Sequence, residues 1–274
     1  MKTLVGNFSK QLAEALEIGK NATLAKHSKE IKNVLICGLG GSGIGGSIVS
    51  ELVIGEANVP INLSKGYFIP AYINENSLVI ISSYSGNTEE TISSFELALK
   101  KNAKVVCVAS GGKIAETAKA KNLDLISIPA GMPPRACLVY SLTQLFFILG
   151  FNGVIKNDFI ADLQSAIKLI EAEEKNIIAV AKSVSAKLFG KTPVIYSTTY
   201  FEGISIRFRQ QLNENAKVLC WHHVIPEMNH NELVGWAGGS DNFSVVIFRD
   251  TDEFEKNNRR IEINKEIIRS YSPD

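Results

Sequence analysis

Neither sign of charge is in surplus in this chain. Twenty-nine Lys and Arg stand against 28 Asp and Glu in 274 residues, a net charge of +1. A protein that neutralises phosphates along a nucleic acid carries a basic excess, so a nucleic-acid partner loses its main support. Cysteine is scarce: Cys37, Cys107, Cys137 and Cys220 lie far apart, with no C-x-x-C pair, which argues against a disulfide-stapled scaffold. Cys37, Cys107 and Cys220 sit in apolar runs that read as strands, where a thiol behaves as a small buried hydrophobe. A reducing, cytoplasmic compartment fits best. Long apolar runs are missing too. The most apolar stretch, Leu138 to Phe151, carries Ser141, Thr143 and Gln144 and is too short to span a bilayer. The N-terminal MKTLVGNFSKQLAEALEIGK has no uninterrupted apolar core and reads as an amphipathic helix, so no membrane partner is expected. What is present, 45% hydrophobic and 21% charged residues, supports a real core in about two domains.

Apolar β-branched runs alternate with segments of helical period, the pattern of α/β units on a parallel sheet. Predicted strands are 33–37, 60–64, 77–82, 104–109 and 123–128, with helices near 42–54, 88–102 and 113–121. After Pro133 and Pro134 a helix runs to about Leu149, and its hydrophobicity nearly all round predicts burial, between domains or subunits. A helix over about 158–189, closed by Gly190 and Pro193, suits a connector between two lobes. Strands 193–197, 216–221 and 243–248 follow, with helices near 200–212 and 253–270. The expected architecture is α/β: two doubly wound, flavodoxin-like three-layer domains with parallel sheets, residues 1–152 and 153–274. The second has three clear strands and looks unfinished at its C-terminus, leaving apolar sheet surface for a dimer or the 253–270 helix to cover.

Two loops carry candidate chemistry. GLGGSGIGG, residues 38–46, lies between a strand and a helix, where glycines bring backbone amides close to an anion at the helix N-terminus. Gly38, Gly40 and Gly43 satisfy G-x-G-x-x-G, which admits a dinucleotide fold or a ligand-free tight turn. The second strand ends in Leu63, Ser64 and Lys65 with no carboxylate for a ribose, which counts against NAD. The other loop, Ser82-Ser83-Tyr84-Ser85-Gly86-Asn87-Thr88, supplies five hydroxyl side chains around a glycine. A helix cap at Thr88 needs only one of them; several suit the oxygens of a phosphate. With strand order 2-1-3-4-5, the loops after strands one and three open into one crevice at the switch point. The residues alone therefore point to a binder of a phosphorylated small molecule.

These loops, with PPRA (133–136), NENAK (213–217) and PEMNHNE (226–232), resemble the bifunctional phosphoglucose/phosphomannose isomerases of the sugar isomerase (SIS) domain superfamily. S-x-S-G-N-T-x-E at 83–90 is the mark of that domain, and the motifs keep their order from near residue 30 to near residue 250. The resemblance implies two SIS-type domains, a phosphorylated hexose substrate, no cofactor, no metal, and a homodimer with shared active sites. It implies that Gly41, Ser42, Ser83, Ser85 and Thr88 hold the sugar phosphate. Arg135 would balance the charge of an enediolate. Glu214 would move the proton between C1 and C2, and His230 would assist ring opening, reaching into the partner subunit's site. Family members continue beyond the point matching residue 274, with a further lysine and threonine in the active site.

Each residue has a plainer role open to it. Arg135 can answer a protein carboxylate, Glu214 can be an exposed turn residue, and His230 can start a helix. His222, His223, Glu227 and Glu232 form a loose metal alternative without fixed ligand spacing. As a function, a non-catalytic SIS-type sugar-phosphate binding or regulatory protein stands beside the isomerase, and a dinucleotide-dependent oxidoreductase stands third.

Overall fold

The structure is a computed structural model that describes residues 1–272. Its chain contacts group into two compact units, Met1–Ala172 and Glu173–Asp274, and the division falls inside one long helix, Phe159–Leu188 (α7).

In the first unit, strands β1 (Asn33–Cys37), β2 (Ile61–Ser64), β3 (Ser77–Ser82), β4 (Lys104–Ala109) and β5 (Asp124–Ser127) form one parallel sheet in the order β2-β1-β3-β4-β5. Successive strand residues face opposite ways, so both faces carry apolar side chains. Val34, Ile36, Leu78, Ile80, Val106 and Val108 pack with α2 (Phe8–Lys20), α3 (Gly40–Leu52) and α6 (Leu138–Phe151). Leu35, Cys37, Val79, Ile81, Val105 and Cys107 pack with α4 (Glu89–Lys100) and α5 (Gly112–Ala120). A short α1 (Lys2–Gly6) precedes them. Burial on both sides explains why these strands read as continuous apolar runs, and it pushes the Cys37 and Cys107 thiols up to about 12.

The helix expected between domains or subunits finds its burial inside this unit. α6 packs on α2 and α3, with the Gln144 amide donating to the Ala15 carbonyl at 2.8 Å and the Tyr140 hydroxyl to Glu14 at 2.6 Å. Its all-round hydrophobicity reflects a helix sandwiched between the sheet and α2.

The second unit holds a smaller parallel sheet of β6 (Thr192–Thr198), β7 (Trp221–Ile225) and β8 (Phe243–Ile247), in the order β7-β6-β8. α8 (Glu202–Gln211) lies on one face, where the Ser205 hydroxyl donates to Ser197 Oγ at 2.8 Å. A one-turn α9 (Glu232–Gly235) follows β7, and α10 (Glu255–Tyr271) covers the other face, burying Ile261 and Ile268 with Val194, Tyr196, Ile225 and Met228. The strand expected at 216–221 instead begins at Trp221. Lys217 takes a left-handed backbone, φ +60°, and the Asn213 amide donates to the Val218 carbonyl at 2.7 Å, which commits 217–220 to a loop. Cys220 is thus outside the strand and only half-buried. No helix among the described residues is long and apolar enough to cross a membrane.

Gly19 tests the packing of α2 on α6. A Cβ added there would lie 2.0 Å from the Phe147 ring. Gly19→Val should destabilise the first unit by about 1–3 kcal/mol in denaturant titration. Gly6→Val, with open space around it, should shift stability by less than ~0.5 kcal/mol; equal losses would contradict this packing.

Candidate functional site

Strands β1 and β3 are neighbours, and the order reverses there, so the loops that leave their C-terminal ends stand side by side. A hydrogen bond ties them. Ser42, buried in the first turn of α3, accepts the Tyr84 backbone N–H on its Oγ at 3.1 Å. Gly38 and Gly43 of the first loop are demanded by packing: a Cβ at Gly43 would sit 2.4 Å from the Gly38 carbonyl oxygen, and one at Gly38 would sit 2.6 Å from the Ser82 carbonyl oxygen. α3 starts with no side-chain cap and no acidic residue in its first turn, which leaves its amide end ready for an anion.

The second loop is organised differently from a capped helix start. Thr88 occupies the N-cap position of α4, yet its hydroxyl makes no capping bond; it pairs with Ser83 Oγ at 3.0 Å. Glu89 and Glu90 stand in the first turn of α4 and already complement its dipole. An anion here would be held by loop hydroxyls and amides more than by the α4 terminus. Gly86 fixes the loop's path: its φ is +68°, and a Cβ would fall 1.8 Å from the Gly111 carbonyl oxygen. The neighbouring Asn87 Oδ1 accepts the Lys113 N–H at 2.9 Å. Ser83 is buried and Ser85 exposed, with Ser85 Oγ accepting the Asn87 N–H at 3.2 Å.

Arg135 lies half-buried in a short 3-10 turn, Pro134–Ala136, just before α6. That turn abuts the first loop, since a Cβ on Gly41 would be 3.3 Å from the Pro134 carbonyl oxygen. The first unit therefore brings Gly41, Ser42, Ser83, Ser85, Thr88 and the backbone of the Arg135 turn into one neighbourhood.

Glu214 and His230 belong to the second unit. Glu214 is exposed in a π-helical turn, Leu212–Ala216, that prolongs α8; its carbonyl accepts from the Lys217 ammonium. Such wide turns recur at functional sites, and the Asn-Glu-Asn sequence alone suggested an ordinary turn. His230 is exposed at the end of the 3-10 turn Glu227–His230. Glu214 precedes β7 and His230 follows it, so they belong to segments at opposite ends of a strand about 15 Å long.

The residues of the metal alternative have other partners. His222 Nε2 lies 3.4 Å from Glu202, and burial, with the nearby Arg209 guanidinium, holds its pKa below the usual imidazole range. His223 Nδ1 accepts the Val224 N–H at 2.8 Å. Glu232 accepts from the Tyr196 hydroxyl and from Trp221 Nε1 at 3.1 Å, while Trp236 Nε1 donates to Tyr196 Oη at 2.9 Å. This network anchors the segment after His230 and was missed from sequence, because its members are far apart along the chain and share no spacing. Among the described residues no three His, Cys, Asp or Glu side chains group as metal ligands.

Residues 178–273 match the model of the bacterial phospho-glucose isomerase C-terminal SIS domain. The bifunctional phosphoglucose/phosphomannose isomerase of Caldicellulosiruptor bescii is 37% identical over 278 residues, spanning 97% of this chain and 81% of that protein. The chain belongs to the bifunctional phosphoglucose/phosphomannose isomerase family. The family's Aquifex aeolicus member is 32% identical over 251 residues, 90% of this chain and 76% of that one. A D-glucosamine-6-phosphate 4-epimerase of Sulfolobus acidocaldarius is 30% identical over 246 residues, 89% of this chain and 76% of that protein. The fold is also that of the C-terminal domain of glucosamine-fructose-6-phosphate aminotransferase from Francisella tularensis, with a TM-score of 0.73 at 16% identity over 98% of this chain and 80% of that one.

For this member of the bifunctional isomerase family, loop architecture and ligand contact separate by mutation. Gly86→Ala should destabilise the first unit by about 2 kcal/mol or more, because the left-handed backbone and the Gly111 carbonyl both refuse a side chain. Ser85→Ala should change stability by less than ~0.5 kcal/mol yet weaken inorganic phosphate binding about tenfold in calorimetry. Unchanged phosphate affinity in Ser85→Ala would contradict the expectation that Ser85 holds a phosphate.

Proposed function

We propose that this chain is an aldose–ketose isomerase that interconverts glucose 6-phosphate, and also mannose 6-phosphate, with fructose 6-phosphate through a cis-enediol. One observation carries the proposal: the Ser42–Tyr84 bond that joins two hydroxyl-and-amide loops, in a chain 37% identical to a bifunctional phosphoglucose/phosphomannose isomerase. Gly41, Ser42, Ser83, Ser85 and Thr88 bind the phosphoryl group, which does not react. Its binding energy orients C1 and C2. Glu214 takes the proton from C2 and returns it to C1, while a hydroxyl proton passes between O2 and O1. Arg135 balances the negative charge of the enediolate, and His230 assists opening of the sugar ring.

The working form is a homodimer with shared active sites, in which each His230 serves the neighbouring copy. It operates in the cytoplasm, in keeping with four cysteines that are all free thiols. The reaction needs no cofactor, because the proton leaves and returns within one substrate.

Glu214→Gln tests the base directly. Deuterium exchange at C2 of glucose 6-phosphate, followed by NMR in heavy water, should fall at least ~100-fold, with sugar-phosphate affinity changed less than about twofold. Turnover retained in that variant would take the role away from Glu214.

A further inference from the structure

Tyr84 ties the second loop to three other segments of the first unit. Its backbone N–H goes to Ser42, in the loop after β1, at 3.1 Å. Its carbonyl accepts from Ser110, just beyond β4, through both the backbone N–H at 2.9 Å and Oγ at 2.6 Å. Its phenolic oxygen accepts the Met132 backbone N–H at 3.0 Å, in the segment after β5. Partial burial raises the hydroxyl's pKa, so the oxygen remains a neutral acceptor.

Met132 is three residues before Arg135, and the two residues between are prolines. Each ring locks φ, and Pro133 is extended at φ −61°, ψ 130°. The Ala136 N–H then returns to the Pro133 carbonyl at 2.8 Å, closing the turn that carries Arg135. A pin at Met132 therefore transmits its position to Arg135 with two soft torsions removed. The other side of the turn rests on Gly41 of the first loop.

We propose that Tyr84 is a positioning residue for Arg135: its hydroxyl holds the Met132 amide so that the guanidinium is set at a fixed distance from the phosphate loops. This rests on the isomerase reading, in which Arg135 meets the enediolate. The phosphate cradle uses the backbone of Tyr84, and the arginine turn uses its side chain, so the two functions separate chemically. Tyr84→Phe deletes the hydroxyl, with its bonds to the Met132 amide and to Cys137, two residues beyond Arg135, and keeps the backbone bonds and the ring.

Calorimetry with two probes reads the separation: inorganic phosphate, and arabinonate 5-phosphate, whose carboxylate stands where enediolate charge develops. Tyr84→Phe should weaken arabinonate 5-phosphate about tenfold and phosphate less than about twofold. The value of kcat should fall in parallel, with KM for fructose 6-phosphate little changed. In an Arg135→Ala background Tyr84→Phe should cost nothing further, the non-additivity of residues acting through one another. Met132→Ala, which keeps the amide, should leave the ratio of the two affinities as in the wild type. Equal weakening of both probes, no weakening of either, additive losses, or the Tyr84→Phe pattern reproduced by Met132→Ala would each overturn the proposal. A wild-type chain without isomerase turnover would overturn the isomerase reading instead, while the two affinities would still decide Tyr84.

Discussion

The hydrogen bond from the Tyr84 amide to Ser42 Oγ is the contact on which the site depends. A parallel sheet with the order β2-β1-β3-β4-β5 brings the ends of β1 and β3 together, but adjacency does not set distance. The Ser42 side chain, buried in the first turn of α3, converts adjacency into a fixed spacing by accepting the Tyr84 amide of the second loop. Once that spacing is set, the Ser83–Thr88 pair and the rigid Gly86 turn have a defined position relative to the open amide end of α3. A phosphoryl group has three terminal oxygens to satisfy, and two loops at a fixed separation offer donors from different directions.

Most of the first unit was legible from residue order. β1, β3 and β4 span the ranges expected of them, because a strand buried on both faces reads as one apolar run closed by a polar residue on at least one side. The common doubly wound order, assumed when the two loops were placed at one crevice, is the order the sheet takes. α6 was misplaced for a physical reason: hydrophobicity all round reports that every face is covered and says nothing about by what. The partner proved to be α2, whose Gly19 gives room for Phe147. Thr88 was legible as a helix start, while its hydroxyl's turn toward Ser83 was not, since cap propensity describes the favoured bond and tertiary contacts chose another.

The second unit was harder to read because its decisive features are local backbone geometry. The π turn around Glu214 and the left-handed Lys217 delay β7 to Trp221, and neither leaves a periodic signal. The Tyr196, Trp221, Glu232 and Trp236 network is assembled from residues scattered over two strands and two turns. Family resemblance drew attention to Glu214 and His230 through their motifs; periodicity alone gave no reason to choose them over the other carboxylates and histidines.

The central claim is that both loops grip one phosphoryl group, and a crystal structure with fructose 6-phosphate soaked into the active protein tests it most directly. Phosphoryl oxygens within hydrogen-bonding distance of Ser42, Ser83, Ser85 and Thr88, with the sugar carbons directed to the Arg135 turn, is the expected result. Density for the phosphoryl group away from these loops, or a sugar bound with its phosphate against Arg135 and the loops empty, would contradict it.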